Sequence, residues 1–480
     1  MSLSFPTSRP PAPSRVQPHP PARSGADQPL NITALLTVML GVSVISLDIS
    51  MTSTALPEIA KNLGVAPAKT IWIVNIYYLA VVAALLPLAA LGEIYGHRRV
   101  FFAGLLTVAA GALASGLAGG LGPLMAGRAL LGIGSAAVSA TTPALIRDIY
   151  PPEKLARGLG FYAMIAGAAL SAGPPVTSAI LAVADWRWLY LPTAPLALLT
   201  LILAARRLPE TERNIRRFDP LSGLLCSAMF ACLLFAIAGA AHLGATIAAV
   251  ALAGAALTGS ALLRHETGQA APILGADLFR LPIFALSSAT SIIAYSVQGM
   301  VFVLLPFLFQ YRMGFTQIEA GLLIIPWPLT LIVMTLVSPR LTRWVAPGFL
   351  GGLGLALLAL GLGALAGLPE SADTVQIGWR LVICGVGFGL FQSPNMVAIM
   401  QSAPRARSGS AGGILAMSRL LGQSIGAALF AFCLAHWHED GIGIALQIGT
   451  GLALAGAAIS ALRLLPGLHP AALPSDKGNA

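Results

Sequence analysis

The constraint that dominates this chain is the recurrence of apolar runs long enough to cross a bilayer. The first begins near Leu35 and closes on Leu47–Pro57. Thirteen more follow at roughly 71–91, 100–121, 123–145, 159–183, 188–205, 220–241, 243–263, 283–309, 317–337, 347–368, 376–400, 410–434 and 441–465. A membrane helix needs about 20 mostly apolar residues, and Gly and Pro are tolerated inside one. The chain is 56% hydrophobic and only 10% charged, with mean hydropathy +0.82; a soluble domain would carry about 25% charge. The expected class is an all-α polytopic membrane protein.

The formal charge of +10 invites a nucleic-acid reading, which the placement of the charges removes. Twenty-one of the 28 Lys and Arg residues fall on one side of the fourteen runs, counting from the N-terminal tail. Only Lys61, Lys69, Arg187 and Arg312 fall on the other side, and Arg128, Arg380 and Arg419 lie within spans. That asymmetry predicts both termini in the cytoplasm. Residues 1–31 carry eight prolines and no apolar core, and so read as a disordered basic tail, leaving the first helix as the targeting signal. Cys226, Cys232, Cys384 and Cys433 all lie in apolar spans without paired spacing and read as small core residues.

Segments about 252 residues apart resemble one another. Arg128-Ala-Leu-Leu-Gly132-Ile-Gly134 in the fourth span matches Arg380-Leu-Val-Ile-Cys-Gly385-Val-Gly387 in the twelfth, and Arg157-Gly158 matches Arg407-Ser-Gly409. This predicts two related six-helix halves at 32–205 and 265–465. A linker and two inserted helices (206–264) separate them, and a second tail covers 466–480. Duplicated halves that rock about a midplane site are a transporter architecture.

Asp48 is the residue that most needs an explanation, since a carboxylate inside hydrocarbon is expensive and is by default a functional group. It lies eight residues from Leu56, about 12 Å deep, while Arg128 enters from the same side to about 8 Å. At such similar depths the two can couple, and a movement that joined or separated them would release or load a proton. The interior of spans 9–14 reads as free of carboxylates, which assigns proton carriage to the N-terminal half. Candidates to line a substrate cavity are Thr52, Asn75, Tyr78, Tyr295, Gln298, Trp327, Gln392, Asn395 and Arg419. Pro326-Trp327-Pro328 predicts a break in the tenth helix.

At this point the sequence resembles the major facilitator superfamily, and within it the branch of fourteen-span drug:proton antiporters. Asp48-x-Ser50-x-x-Ser53-x-Ala55-Leu56-Pro57 is similar to the first-helix motif Asp-x-Thr-x-x-Asn-x-Ala-Leu-Pro. Leu91-Gly92-Glu93-Ile94-Tyr95-Gly96-His97-Arg98-Arg99 resembles the loop between helices 2 and 3, which implies a cytoplasmic gate at Glu93, Gly96, Arg98 and Arg99. Arg128-x-x-x-Gly132-x-Gly134-x-Ala136 resembles the fourth-helix motif. Gly173-Pro174-Pro175-Val176-Thr177-Ser178 resembles the antiporter motif Gly-Pro-x-x-Gly-Gly, with Thr177 and Ser178 where two glycines are expected. Asp185-Trp186-Arg187-Trp188 is similar to the Trp-Arg-Trp of the branch. The resemblance implies a major facilitator fold with 14 transmembrane helices, arranged as two six-helix halves plus two inserted helices. It also implies a multi-pass protein of the cell membrane that exports small amphipathic compounds in exchange for protons by alternating access.

A Walker phosphate loop is absent from the sequence, so ATP does not drive the chain directly, and no cofactor, metal or nucleic-acid partner is expected. The expected partners are a small-molecule substrate and protons, and the expected state is a monomer. The rival readings are a transporter of one specific, anionic metabolite and a membrane lipid-modifying enzyme. The enzyme would need converging His and acidic groups, for which only His436-Trp437-His438-Glu439-Asp440 offers material.

Overall fold

The computed structural model describes residues 31–150, 155–210, 219–239, 244–267, 275–342, 344–369, 372–403 and 408–465. The tail expected at 466–480 and the Arg407 half of the loop repeat lie outside the described residues, as does the first tail up to residue 30. Asn31, assigned above to that tail, is instead the cap of the first helix: its side chain accepts from the Ala34 N–H at 3.1 Å.

Among the described residues, fourteen helices are long and apolar enough to cross a membrane. They are α1 (Ile32–Leu63), α2 (Trp72–Tyr95), α3 (His97–Gly116), α4 (Leu121–Ile149), α5 (Leu155–Leu181), α6 (Thr193–Arg207) and α7 (Pro220–Gly239). The second set is α8 (Ala245–Glu266), α9 (Pro282–Phe307), α10 (Gln317–Ile324 continued by Pro326–Leu341), α11 (Pro347–Ala366), α12 (Thr374–Ser402), α13 (Ser408–Trp437) and α14 (Gly441–Leu462). An even number of crossings returns residues 31 and 465 to one end, called here the terminal end; the other is the far end. Helix α10 is interrupted at Ile325, where Pro326 withholds its N–H and the Ile325 amide bonds back only to Leu322 at 3.2 Å. Ile325 itself keeps helical angles, φ −52° and ψ −40°, so the prolines interrupt the hydrogen-bond ladder without ending the rod.

The internal repeat is visible in how helices touch. A Cβ at Gly132 of α4 would lie 2.6 Å from the Tyr77 carbonyl of α2, and one at Gly134 would lie 2.7 Å from the Gly104 carbonyl of α3. In the second half, a Cβ at Gly385 of α12 would lie 2.5 Å from the Trp327 carbonyl of α10, and one at Gly387 would lie 2.6 Å from the Gly354 carbonyl of α11. Missing side chains thus let two pairs of backbones approach in the same pattern. The halves meet through α1 with α9, α2 with α13, and α5 with α10. Helices α7 and α8 pair with each other, and α7 leans on both α2 and α13; the Ser227 hydroxyl donates to the Ala83 carbonyl of α2 at 2.8 Å.

One sequence expectation needs correction. Span 10 does contain a carboxylate: Glu319 sits in the first turn of α10 at the far end. There it accepts from the Thr316 N–H at 2.8 Å, while the Thr316 hydroxyl accepts from its own N–H at 3.3 Å. This is a helix cap at the surface, made by the reciprocal spacing of Thr and Glu.

Candidate functional site

Asp48 and Arg128 are in direct contact. The guanidinium Nη1 donates to Asp48 Oδ2 at 2.5 Å, with both side chains fully excluded from solvent. Aromatic rings enclose the cation: its Cζ lies 4.7 Å from the Tyr77 ring centre and 5.5 Å from that of Tyr190, distances that suit cation–π attraction in a dry site. Tyr190 arrives there from the turn before α6. Asp185 caps that turn and pairs with Arg187 at 2.8 Å, and Arg187 also donates to the Ala118 carbonyl at 3.1 Å. The Trp-Arg-Trp stretch therefore acts at a distance, by fixing Tyr190. Asp48 Oδ1 and Arg128 Nε and Nη2 have no hydrogen-bond partner, so a buried charge pair is left only partly satisfied, an arrangement of high electrostatic energy.

Helix α5 is pressed against α1 beside this pair. The Ser50 hydroxyl donates to the Leu170 carbonyl at 2.7 Å, and Gly173 faces Ser50 so closely that a Cβ would collide with the Ser50 side chain. One turn on, the Thr177 hydroxyl reaches the Met51 carbonyl of α1 at 3.3 Å. Ser178 crosses to the other half and donates to the Gln317 carbonyl of α10 at 3.1 Å, while a Cβ at Gly321 would meet the Ser178 hydroxyl and lie 2.8 Å from the Pro174 carbonyl. The two residues that depart from the glycine motif thus make hydrogen bonds from α5 to its neighbours. Two more links close the far end: Gln317 Nε2 to the Thr54 carbonyl at 3.3 Å and the Tyr311 hydroxyl to the Pro57 carbonyl at 3.5 Å.

The predicted cavity residues divide into three groups. Tyr78, Tyr295, Gln298, Gln392 and Arg419 are brought together: Tyr78 and Tyr295 both lie near Arg419, Gln392 lies beside Tyr295, and Gln298 accepts from Gln423 at 3.3 Å. Thr52, Asn75 and Trp327 are buried in helix contacts. Thr52 lies beside the Tyr190 hydroxyl, the amide of Asn75 has no hydrogen-bond partner, and Trp327 packs on Phe302 with ring centres 5.6 Å apart. Asn395 is drawn toward the terminal end, where it accepts from Arg463 at 2.6 Å and donates to the Ser287 carbonyl at 3.1 Å and the Ser291 hydroxyl at 2.7 Å. Arg463 also donates to the Ser287 hydroxyl at 2.9 Å and to Ser460, so α9, α12 and α14 share one buried polar knot.

Among the gate candidates, Glu93 and Arg99 are exposed. Gly96 takes φ +96° at the sharp joint between α2 and α3, where an L side chain would be strained. Arg98 donates to the Ala205 carbonyl at 2.8 Å and lies 3.9 Å from Glu210. Arg380, the repeat partner of Arg128, lies over Trp379 and bonds the Ala364 and Gln376 carbonyls at 3.0 and 2.6 Å. His436 packs against Phe432 with ring centres 4.1 Å apart. Sequence reasoning missed Tyr77, Tyr190, Tyr162 and Arg463. Tyr77 and Tyr190 carried a usable signal, since one adjoins Tyr78 and the other follows the Trp-Arg-Trp stretch by two residues. Arg463 did not, because a cation at a helix end reads as a surface anchor.

A model of the Major Facilitator Superfamily matches residues 38–427. The uncharacterized transporter YebQ of Escherichia coli is 39% identical over 443 residues, 92% of this chain and 97% of that protein. Multidrug resistance protein Stp of Mycobacterium tuberculosis is 30% identical over 421 residues, 85% of this chain and 77% of that protein. Among solved structures, a D-xylose-proton symporter superposes with a TM-score of 0.67 at 15% identity, over 90% of this chain and 97% of that one. With its fourteen membrane-length helices and paired halves, the chain is a multi-pass membrane transporter and belongs to the Major Facilitator Superfamily.

Proposed function

We propose that this transporter exports small amphipathic compounds from the cytoplasm in exchange for protons, as a monomer with both termini cytoplasmic, by rocking of residues 32–205 against residues 265–465. The observation that carries the reading is the dry, partly satisfied Asp48–Arg128 pair set between Tyr77 and Tyr190, two residues along α1 from the tight contact of Ser50 with Gly173 of α5. A proton taken up by Asp48 removes the charge that holds Arg128, so α1 and α4 are freed from one another. Loss of the proton restores the clasp. Multidrug resistance protein Stp, multidrug efflux pump LfrA of Mycolicibacterium smegmatis and the tetracenomycin C resistance and export protein of Streptomyces glaucescens are relatives whose names support the direction and the substrate breadth. A pH difference of one unit supplies about 1.4 kcal/mol per proton and 100 mV about 2.3 kcal/mol, enough to hold a steep gradient of a neutral compound.

The test is proton release from energised proteoliposomes on adding candidate drugs, with intact protein compared to Asp48→Asn. Drug-dependent proton movement that Asp48→Asn abolishes is the expected result. Equal proton movement in both proteins would remove Asp48 from the coupling step.

A further inference from the structure

Two arginines near mid-span, Arg128 and Arg419, lie in different electrical situations. Arg128 is neutralised by Asp48. Arg419, on α13 about 16 Å from the terminal end at 1.5 Å per residue, makes no ion pair with any carboxylate among the described residues. Its neighbours are hydroxyls: Tyr162 of α5 meets the guanidinium, and Tyr295 of α9 and Tyr78 of α2 stand close by. Asp48 is committed to Arg128, and Glu319 to its far-end cap. Arg419 keeps partial exposure as a residue, unlike the fully enclosed Arg128.

A guanidinium held in that environment with only neutral dipoles around it is costly, and an anion of matching shape would offset the cost. The groups around it suit one kind of ligand. Arg419 presents a planar fork for two oxygens, and tyrosine hydroxyls can donate to the same oxygens. One turn along α13, Gln423 faces Gln298, and Phe388, 5.4 Å from Tyr295 between ring centres, supplies apolar wall. Both halves contribute, Tyr78 and Tyr162 from one and Tyr295 and Arg419 from the other, as a site that changes with rocking requires. Tyr77, which covers Arg128, packs edge-on against Tyr78 with ring centres 5.6 Å apart, so the anion site and the proton site are separated by one aromatic pair.

We infer that the substrates of this transporter are amphipathic organic anions, carboxylates or sulfonates with an apolar body, whose charged end seats on Arg419 among Tyr78, Tyr162 and Tyr295. This deepens the export reading and rests on it for direction. The test measures binding without any proton gradient, using the full chain purified in detergent. The probes are a panel of matched pairs led by dansylglycine and its neutral amide, dansylglycinamide, read by dansyl fluorescence and by thermal unfolding. The carboxylates are expected to bind at least about tenfold more tightly than the amides. Arg419→Gln is expected to erase that difference without weakening the amides, and Arg419→Lys to keep part of it. Tyr162→Phe is expected to weaken the carboxylates alone, and it serves as the second variant should Arg419→Gln fail to fold. Equal binding of carboxylates and amides by the intact protein overturns the inference, as does equal loss of both in Arg419→Gln or no binding by any pair. Asp48→Asn, taken through this binding assay and the proteoliposome assay, separates the two readings: intact anion selectivity together with proton movement equal to that of the intact protein would remove the coupling proposal and leave this one standing.

Discussion

At the scale of single residues, breaking the buried Asp48–Arg128 pair and removing it whole should have different consequences. Asp48→Asn leaves Arg128 buried with no counter-charge, and Arg128→Met leaves the carboxylate bare. Either should destabilise the protein by roughly 3–5 kcal/mol, because one member of a desolvated pair is left alone. The double variant Asp48→Asn with Arg128→Met removes the imbalance and should unfold near the temperature of the intact protein, yet move no protons. Thermal unfolding of the three variants in one detergent, with proteoliposome assays, checks this; a double variant less stable than both singles would show that the pair serves the fold alone. Asp48 and Arg128 were both legible in the sequence, since ionisable residues in apolar runs are conspicuous and helix rise gives their depth. Their aromatic enclosure was legible only in part: Tyr77 adjoins Tyr78 and Tyr190 follows Trp188 by two residues, but nothing local names the cation that both rings cover.

Among helices, the decisive contacts are made where side chains are missing. Gly173 leaves no room for a Cβ beside Ser50, so Gly173→Ala should push α1 and α5 apart and cost about 1–3 kcal/mol, with transport falling further than stability. Ser50→Gly in the same chain should recover most of the loss, a coupling that a double-mutant cycle measures directly. The repeat makes a parallel prediction for Gly132→Ala and Gly385→Ala. Each forces a methyl onto a carbonyl of the neighbouring helix, Tyr77 in one half and Trp327 in the other, and the two should lower the unfolding temperature by similar amounts. Helix number and order could be read from apolar length alone. The proline interruption of α10 was foreseen from Pro326 and Pro328, but the retained helical angles at Ile325 depend on neighbours that the local sequence does not name. Asn395 shows the same limit: a polar residue in an apolar run reads as cavity lining until Arg463, 68 residues away in sequence, is found to be its partner.

For the whole molecule, the two halves are fastened at the far end, where Ser178 meets Gln317 and Gly321. Ser178→Cys combined with Gly321→Cys should therefore form a disulfide readily under mild oxidation and stop transport, with a thiol reductant restoring it; unimpeded transport by the oxidised protein would mean that this end does not open. Of the native cysteines, Cys226, Cys384 and Cys433 are buried and so poor competitors, and Cys232, partly exposed, is replaced by Ser in this test. The bonds across this seam share one property. Ser178, Gln317 and Tyr311 all donate to main-chain carbonyls, those of Gln317, Thr54 and Pro57. An acceptor carried by the backbone is present whatever side chain occupies its position, so half of every bond is immune to point mutation. A lineage under pressure to change what it carries could drift widely along the lips of this seam, and the closure itself would survive the experiment.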